Sequence, residues 1–142
     1  MSTQVVFSLK HLFVPGSNMR DNAVALHCLM DCLIALDVAH LSYHQELPLY
    51  QSGIRYGRTK EWDPIPEMYA RGYGDCKSLS AALIAEYRLR GINAKPSFRF
   101  LPVKDHLGNV TDFKFHILVQ TDRGFEDPSK DFGMGRDENK WF

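Results

Sequence analysis

Apolar residues recur along residues 21–44 at a spacing that fits a helix. Placed at 100° per position, Val24, Ala25, Cys28, Leu29, Cys32, Ala35, Leu36 and Ala39 fall on one arc, with His27, Asp31, Asp37, His40 and His44 outside it. The pattern predicts a largely buried helix whose two cysteines face the core. A second helix is predicted over Asp75–Arg90, where Leu79, Ala82, Leu83 and the Glu86–Tyr87 pair keep helical spacing and Gly91 supplies the stop. Ahead of both, Val5–Val14 runs up to Pro15-Gly16-Ser17 and reads as a strand ending in a turn. Gln45–Tyr73 holds Pro48, Pro64, Pro66, Gly53, Gly57 and Gly72 among Tyr50, Tyr56, Trp62 and Tyr69, which predicts irregular chain with one short helix near Pro66–Arg71. Long irregular segments in compact domains often carry function. Ala94–Leu101 and Thr111–Thr121 read as strands joined by a polar turn at Asp105–Asn109, and Asp122-Arg123-Gly124 turns the chain again before Phe125-Glu126-Asp127. Helices followed by an antiparallel meander predict an α+β fold.

A chain of 142 residues is the size of one domain. It divides into an N-terminal helical part at about 1–47, a core at about 48–134 and a polar tail at 135–142, which is read as a mobile end in preference to a docking arm. With 44% hydrophobic and 24% charged residues the composition excludes a disordered chain. Seventeen basic residues balance seventeen acidic ones, so no bulk field draws the protein to nucleic acid or to an anionic membrane. Neither is expected as a partner. Three cysteines are too few for a disulfide scaffold and point to a reducing, cytoplasmic compartment. The first ten residues lack a basic region and a sustained apolar run, so no secretory signal is expected. Ala23–Leu41 carries His27, Asp31, Asp37 and His40, too polar a set for an isolated spanning helix.

Candidate chemistry concentrates at residues 72–80, Gly-Tyr-Gly-Asp-Cys-Lys-Ser-Leu-Ser, where a glycine-rich turn delivers Cys76 to a helix N-terminus. Free backbone N–H groups and the positive end of the helix dipole stabilise a thiolate there. They lower its pKa from about 8.5 toward roughly 3.5–7.5. The same N–H groups can hold an oxyanion. A lone cysteine at a helix start is more often a small apolar side chain, so its partners decide. His116 follows Cys76 by 40 positions on an alternating strand, and Asp127 follows His116 by 11 across a tight turn. One helix packed on one meander could assemble thiol, imidazole and carboxylate into a nucleophile, a base and an orienting acid. Alternation places Asp127 toward the imidazole and Glu126 on the opposite face.

Gly74-Asp75-Cys76 opening an Ala/Leu helix, then Gly91-Ile92-Asn93-Ala94, His116 in a strand and Asp127-Pro128 after a hairpin resemble the transglutaminase-like cysteine-hydrolase superfamily. Residues 49–56 (Leu-Tyr-Gln-Ser-Gly-Ile-Arg-Tyr) and 126–130 (Glu-Asp-Pro-Ser-Lys) are similar to small stand-alone members encoded by phages and prophages. The resemblance implies a papain-like core, Cys76 as nucleophile, His116 as general base and Asp127 as the orienting carboxylate. Lys77 departs from the acidic residue common after the cysteine, and the interval from His116 to Asp127 is shorter than in larger transglutaminases. Gln51 and Tyr56 are candidates for the second oxyanion donor. No Asp-x-Asp-x-Asp loop suggests calcium control, and no metal or cofactor is expected.

The reading is a cysteine-dependent amide hydrolase or acyltransferase acting on a protein or peptide in the host cytoplasm. Its alternative is a non-catalytic phage-particle assembly or interaction protein on the same scaffold, virion-associated and partnered by phage structural proteins. A weaker third is a peptidoglycan amidase with a cysteine and two histidines, in which Asp127 is incidental. Cys28 and Cys32 near His27, His40 and His44 read as core packing rather than a metal cluster. Arg88, Arg90, Lys95 and Arg99 read as ordinary surface charge. The sequence leaves open whether Trp62, Tyr69 and Tyr73 line a cleft or fill the core.

Overall fold

The computed structural model of the chain describes residue 6 and residues 8–135. Helix α1, Met19–Tyr43, starts at Asn18, whose side-chain oxygen accepts from the backbone N–H groups of Arg20 at 2.8 Å and Asp21 at 3.4 Å. Strand β1, Arg55–Tyr56, pairs in parallel with β2, Tyr73–Gly74, and helix α2, Ile65–Arg71, lies between them in the chain. Helix α3, Cys76–Leu89, follows at once. Strands β3, Ala94–Lys104, β4, Val110–Thr121, and β5, Gly124–Glu126, form an antiparallel sheet in that order, and the single turn α4, Pro128–Asp131, ends the described fold. The α+β class and the antiparallel meander are as the sequence predicts.

α3 is the centre of the molecule. Every residue from Cys76 to Glu86 is buried, with α1 packed on one side and β3 and β4 on the other. Ala81, Ala82 and Ala85 add little bulk and admit both neighbours, while Leu79, Leu83 and Ile84 meet Ile117 and Val119 of β4 and Met30, Leu33 and Ile34 of α1 in one core. Polar groups on α3 are tied to adjacent segments. Ser80 donates to the Ile117 carbonyl at 3.1 Å, and the buried Glu86 carboxylate accepts the Leu49 N–H at 2.6 Å.

The approach to α3 depends on two glycines. Gly72 closes α2 in the left-handed region at φ 87°, and a Cβ on Gly74 would stand 2.5 Å from the Met68 sulfur. Between them the chain turns sharply enough for Asp75 to cap α3, accepting the Lys77 N–H at 3.1 Å.

Two expectations fail here. Residues 8–17 form turns and bends rather than a strand, because the Phe13 N–H is held by the Asn22 side chain at 3.0 Å in a loop folded against the start of α1. Val5 and Phe7 lie outside the described residues, as do residues 136–142 of the polar tail. The buried face of α1 is Asn22, Leu26, Met30, Leu33, Ile34 and Asp37, whereas Val24, Cys28, Cys32 and Leu36 are exposed. Apolar residues encircle most of this helix, so a projection chose the wrong arc. Among the described residues α1 is the one helix long and apolar enough to cross a membrane, and its buried face belongs to the core shared with α3.

Asp37, placed on the polar side by its charge, is fully buried. Its carboxylate accepts the Ile65 N–H at 2.7 Å, capping α2, whose own Pro64 has no side chain to do so. Burial pushes its pKa up to about 7, the Ile65 N–H opposing and Glu67 reinforcing the rise. Between about pH 4 and 7 the folded chain therefore keeps a proton that the unfolded chain has released. Stability should fall as pH rises through that window, by about 4 kcal/mol from this group. Asp37→Asn keeps the acceptor and should remove most of that decline. Urea unfolding at pH 5 and pH 8 measures it, and an unchanged difference between the two pH values in the variant would refute the assignment.

Candidate active site

Cys76 is the first residue of α3 and opens into a cleft of about 650 Å³. One wall is the segment 56–60, the floor is Asp75–Lys77, and the other wall is Phe113–His116 of β4. The Cys76 sulfur accepts a hydrogen bond from the backbone N–H of Ile117, the residue after His116, and Cys76 and His116 line the same cleft. His116 is buried, and its Nε2 meets the Asp127 carboxylate at 2.8 Å. Asp127 sits between β5 and α4, where its second oxygen accepts the Lys130 N–H at 3.3 Å, so the turn that ends the sheet also fixes the carboxylate. The sequence-predicted trio is thus brought together.

Glu126 points away, as alternation requires. Its two oxygens each accept from the Tyr87 hydroxyl at 2.8 Å, and Tyr50 donates at 3.4 Å.

The thiol's state differs from the expectation. Burial pushes its pKa up to about 12, with the Asp75 carboxylate next in effect, and the Lys77 ammonium and the Ile117 N–H only partly oppose them. The helix terminus does not outweigh desolvation. Cys76 therefore rests as a thiol, and attack by it would require a base to take its proton in the same step. Iodoacetamide at pH 7 should therefore modify the exposed Cys28 and Cys32 before Cys76, whose labelling should rise about tenfold per pH unit from pH 8 to 10. Timed peptide mapping reads this order; Cys76 labelling first at pH 6 would instead show a preformed thiolate.

Of the two oxyanion candidates, Tyr56 lines the cleft and Gln51 does not. Leu49 is drawn into the core by Glu86, and the short 3₁₀ turn Leu49–Gln51 leaves Gln51 exposed. Trp62, Tyr69 and Tyr73 also lie outside the lining. Trp62 packs on the core under the Lys77 ammonium, Tyr69 donates to the Leu47 carbonyl at 2.9 Å, and Tyr73 stacks on Arg71. The aromatic lining is Tyr56, Phe113 and Phe115.

No family model, no curated protein and no solved structure matches the chain.

Sequence reasoning treated Lys77 only as a departure. It is buried, its ammonium paired with Asp75 and donating to the Thr59 carbonyl at 3.1 Å, so it ties the 57–64 loop to the start of α3. Its position beside the cysteine was the available signal. Arg58, Lys60 and Lys114 were missed as cleft residues, because which loop folds over Cys76 is a long-range fact. Among the described residues no cluster of three His, Cys, Asp or Glu side chains could hold a metal ion; His27 packs on Phe98, and His40 meets Glu46 at 2.8 Å. Of the basic strip, Arg88 donates to the Ala94 carbonyl and Arg99 lies over Phe125, which makes both part of the packing.

Proposed function

We propose that the chain is a cysteine-dependent amide hydrolase or acyltransferase with a transglutaminase-like, papain-like core. The observation that carries this reading is the 2.8 Å contact of Asp127 with His116 in the same cleft wall that the Cys76 thiol faces. With Nε2 committed to Asp127, His116 exchanges protons with Cys76 through Nδ1. The sulfur attacks the amide carbonyl as its proton passes to the imidazole. The oxyanion is met by the Cys76 backbone N–H, unbonded within the helix at its first turn, with Tyr56 as second donor. His116 then protonates the leaving amine, a thioester remains, and water or a second amine releases it.

A peptide or protein substrate is supported by the sheet. β5 pairs with β4 only from Val119 to Thr121, so beyond Ile117 this edge of β4 faces the cleft, and an extended chain could pair with Phe115 there. By its resemblance the protein is of the phage or prophage type and acts in the host cytoplasm.

The raised thiol pKa favours a second reading, a non-catalytic assembly protein using the same cleft to hold phage structural proteins. A peptide library incubated with wild type and with Cys76→Ala separates the two. Mass spectrometry should find cleaved or deamidated peptides with wild type alone. No product from wild type, or equal product from the variant, favours binding.

A further inference from the structure

The whole chain has a formal net charge of zero, yet its cleft is not neutral. Arg58, Lys60, Lys77 and Lys114 reach the lining, against one carboxylate, Asp75. Lys77 is spent on Asp75 and is only 7% exposed, so it offers no charge to a ligand. Arg58 and Lys60 come from the loop on one side of Cys76. Lys114 comes from β4 on the other side, two positions before His116. Among the described residues Lys60 and Lys114 make no ion pair or hydrogen bond, and both are exposed at the cleft rim. Asp127 lies outside the lining and has its own cation, the Lys130 ammonium at 3.9 Å. Cations on both rims of a concave, partly apolar site focus a positive field on whatever enters it.

We propose that this rim selects substrates carrying a carboxylate near the amide that Cys76 attacks, with Lys60 and Lys114 as the specificity residues. The inference rests on the thiol-hydrolase reading above and adds its substrate class: acidic peptides, with the carboxylate on an Asp or Glu side chain or at a free C-terminus. Phe113 and Phe115 give the rest of such a ligand an apolar bed. The amide supplies the reacting carbonyl, and the carboxylate remains chemically unchanged.

Iodoacetate and iodoacetamide test the rim. They are nearly equal in size, differ by one negative charge, and each loses iodide as the sulfur–carbon bond forms. Cys28 and Cys32, exposed on the same molecule, are internal references. Rates at pH 9 are read by peptide mapping. The ratio of iodoacetate to iodoacetamide labelling should be about threefold to tenfold higher at Cys76 than at the references, the effect of the two lysine charges a few ångströms away in water. It should collapse toward the reference ratio in 1 M salt and in the Lys60→Glu/Lys114→Glu double variant. A ratio no higher than at Cys28 and Cys32, or a high ratio that the double variant keeps, overturns the proposal while leaving the thiol reading intact. Failure of both reagents to reach Cys76 by pH 10 overturns both.

Peptide turnover then identifies the source of the carboxylate. One set has internal Asp or Glu and an amidated C-terminus; the other has no acidic side chain and a free C-terminus. Faster turnover of either set than of amidated peptides without acidic residues supports the proposal and names the source. No advantage for either contradicts it.

Discussion

Asp127→Asn should cost on the order of 10⁴-fold in turnover, while Glu126→Gln stays near wild type, although the two carboxylates are adjacent in sequence. The difference comes from what each touches. Asp127 accepts from His116 Nε2 at 2.8 Å, and an amide there can present its NH₂ to the ring and stabilise the tautomer that cannot take the thiol proton. Glu126 serves the Tyr87 and Tyr50 hydroxyls, and Gln keeps an acceptor for them. Circular dichroism and thermal melts of both variants separate loss of fold from loss of chemistry, because Asp127 also caps α4. The reverse ranking would move the orienting role to Glu126. Indifference to both would favour the assembly or amidase readings.

His116→Ala should lower turnover by about 10²–10⁴-fold, and His106→Ala should leave it unchanged. His106 is exposed in the turn between β3 and β4, whereas His116 is 1% exposed and lines the cleft together with Cys76. Because removing a buried ring leaves a cavity, His116→Gln, closer in volume, is the second variant. It should fold like wild type and remain as inactive as the alanine form. The pH dependence adds an independent sign. With the Cys76 pKa pushed up to about 12, the base rather than a resting thiolate must start the reaction, so residual activity in His116→Gln should climb with pH well above neutrality. Comparable turnover by the His106 and His116 variants would place the base elsewhere.

The trio was legible because each member has a local signature. A glycine turn ends in a capping aspartate before Cys76, an alternating strand carries His116, and a tight turn with a following proline fixes Asp127. What surrounds the trio was not legible, since it is set by packing. The helical projection of α1 failed because Val24, Leu36 and the cysteines are as apolar as the residues that are buried, and only contact with α3 selects the face. Asp37 looked solvent-facing by its charge, and its actual role depends on α2 arriving 28 residues later with no cap of its own. The β1–β2 pairing of two residues each was too short to leave a periodic trace, yet the segment that leaves β1 supplies Arg58, Thr59 and Lys60 to the cleft. The thiol's pKa was misjudged for the same reason. Helix-terminus position is readable from sequence, whereas the depth to which α3 is buried is a property of the assembled core.

An acyl-enzyme on Cys76 is the most direct test of the account. Wild-type protein and His116→Gln are exposed briefly to a p-nitrophenyl ester of an N-acetylated acidic dipeptide, quenched in acid and mapped by mass spectrometry, with a chase in buffer before a second quench. In wild type the acyl mass should be found on the peptide carrying Cys76 and should disappear during the chase. Any adducts on the exposed Cys28 and Cys32 should persist, and His116→Gln should form and lose the Cys76 adduct far more slowly. Acylation confined to Cys28 and Cys32, or a Cys76 adduct that neither turns over nor responds to His116, would contradict the triad.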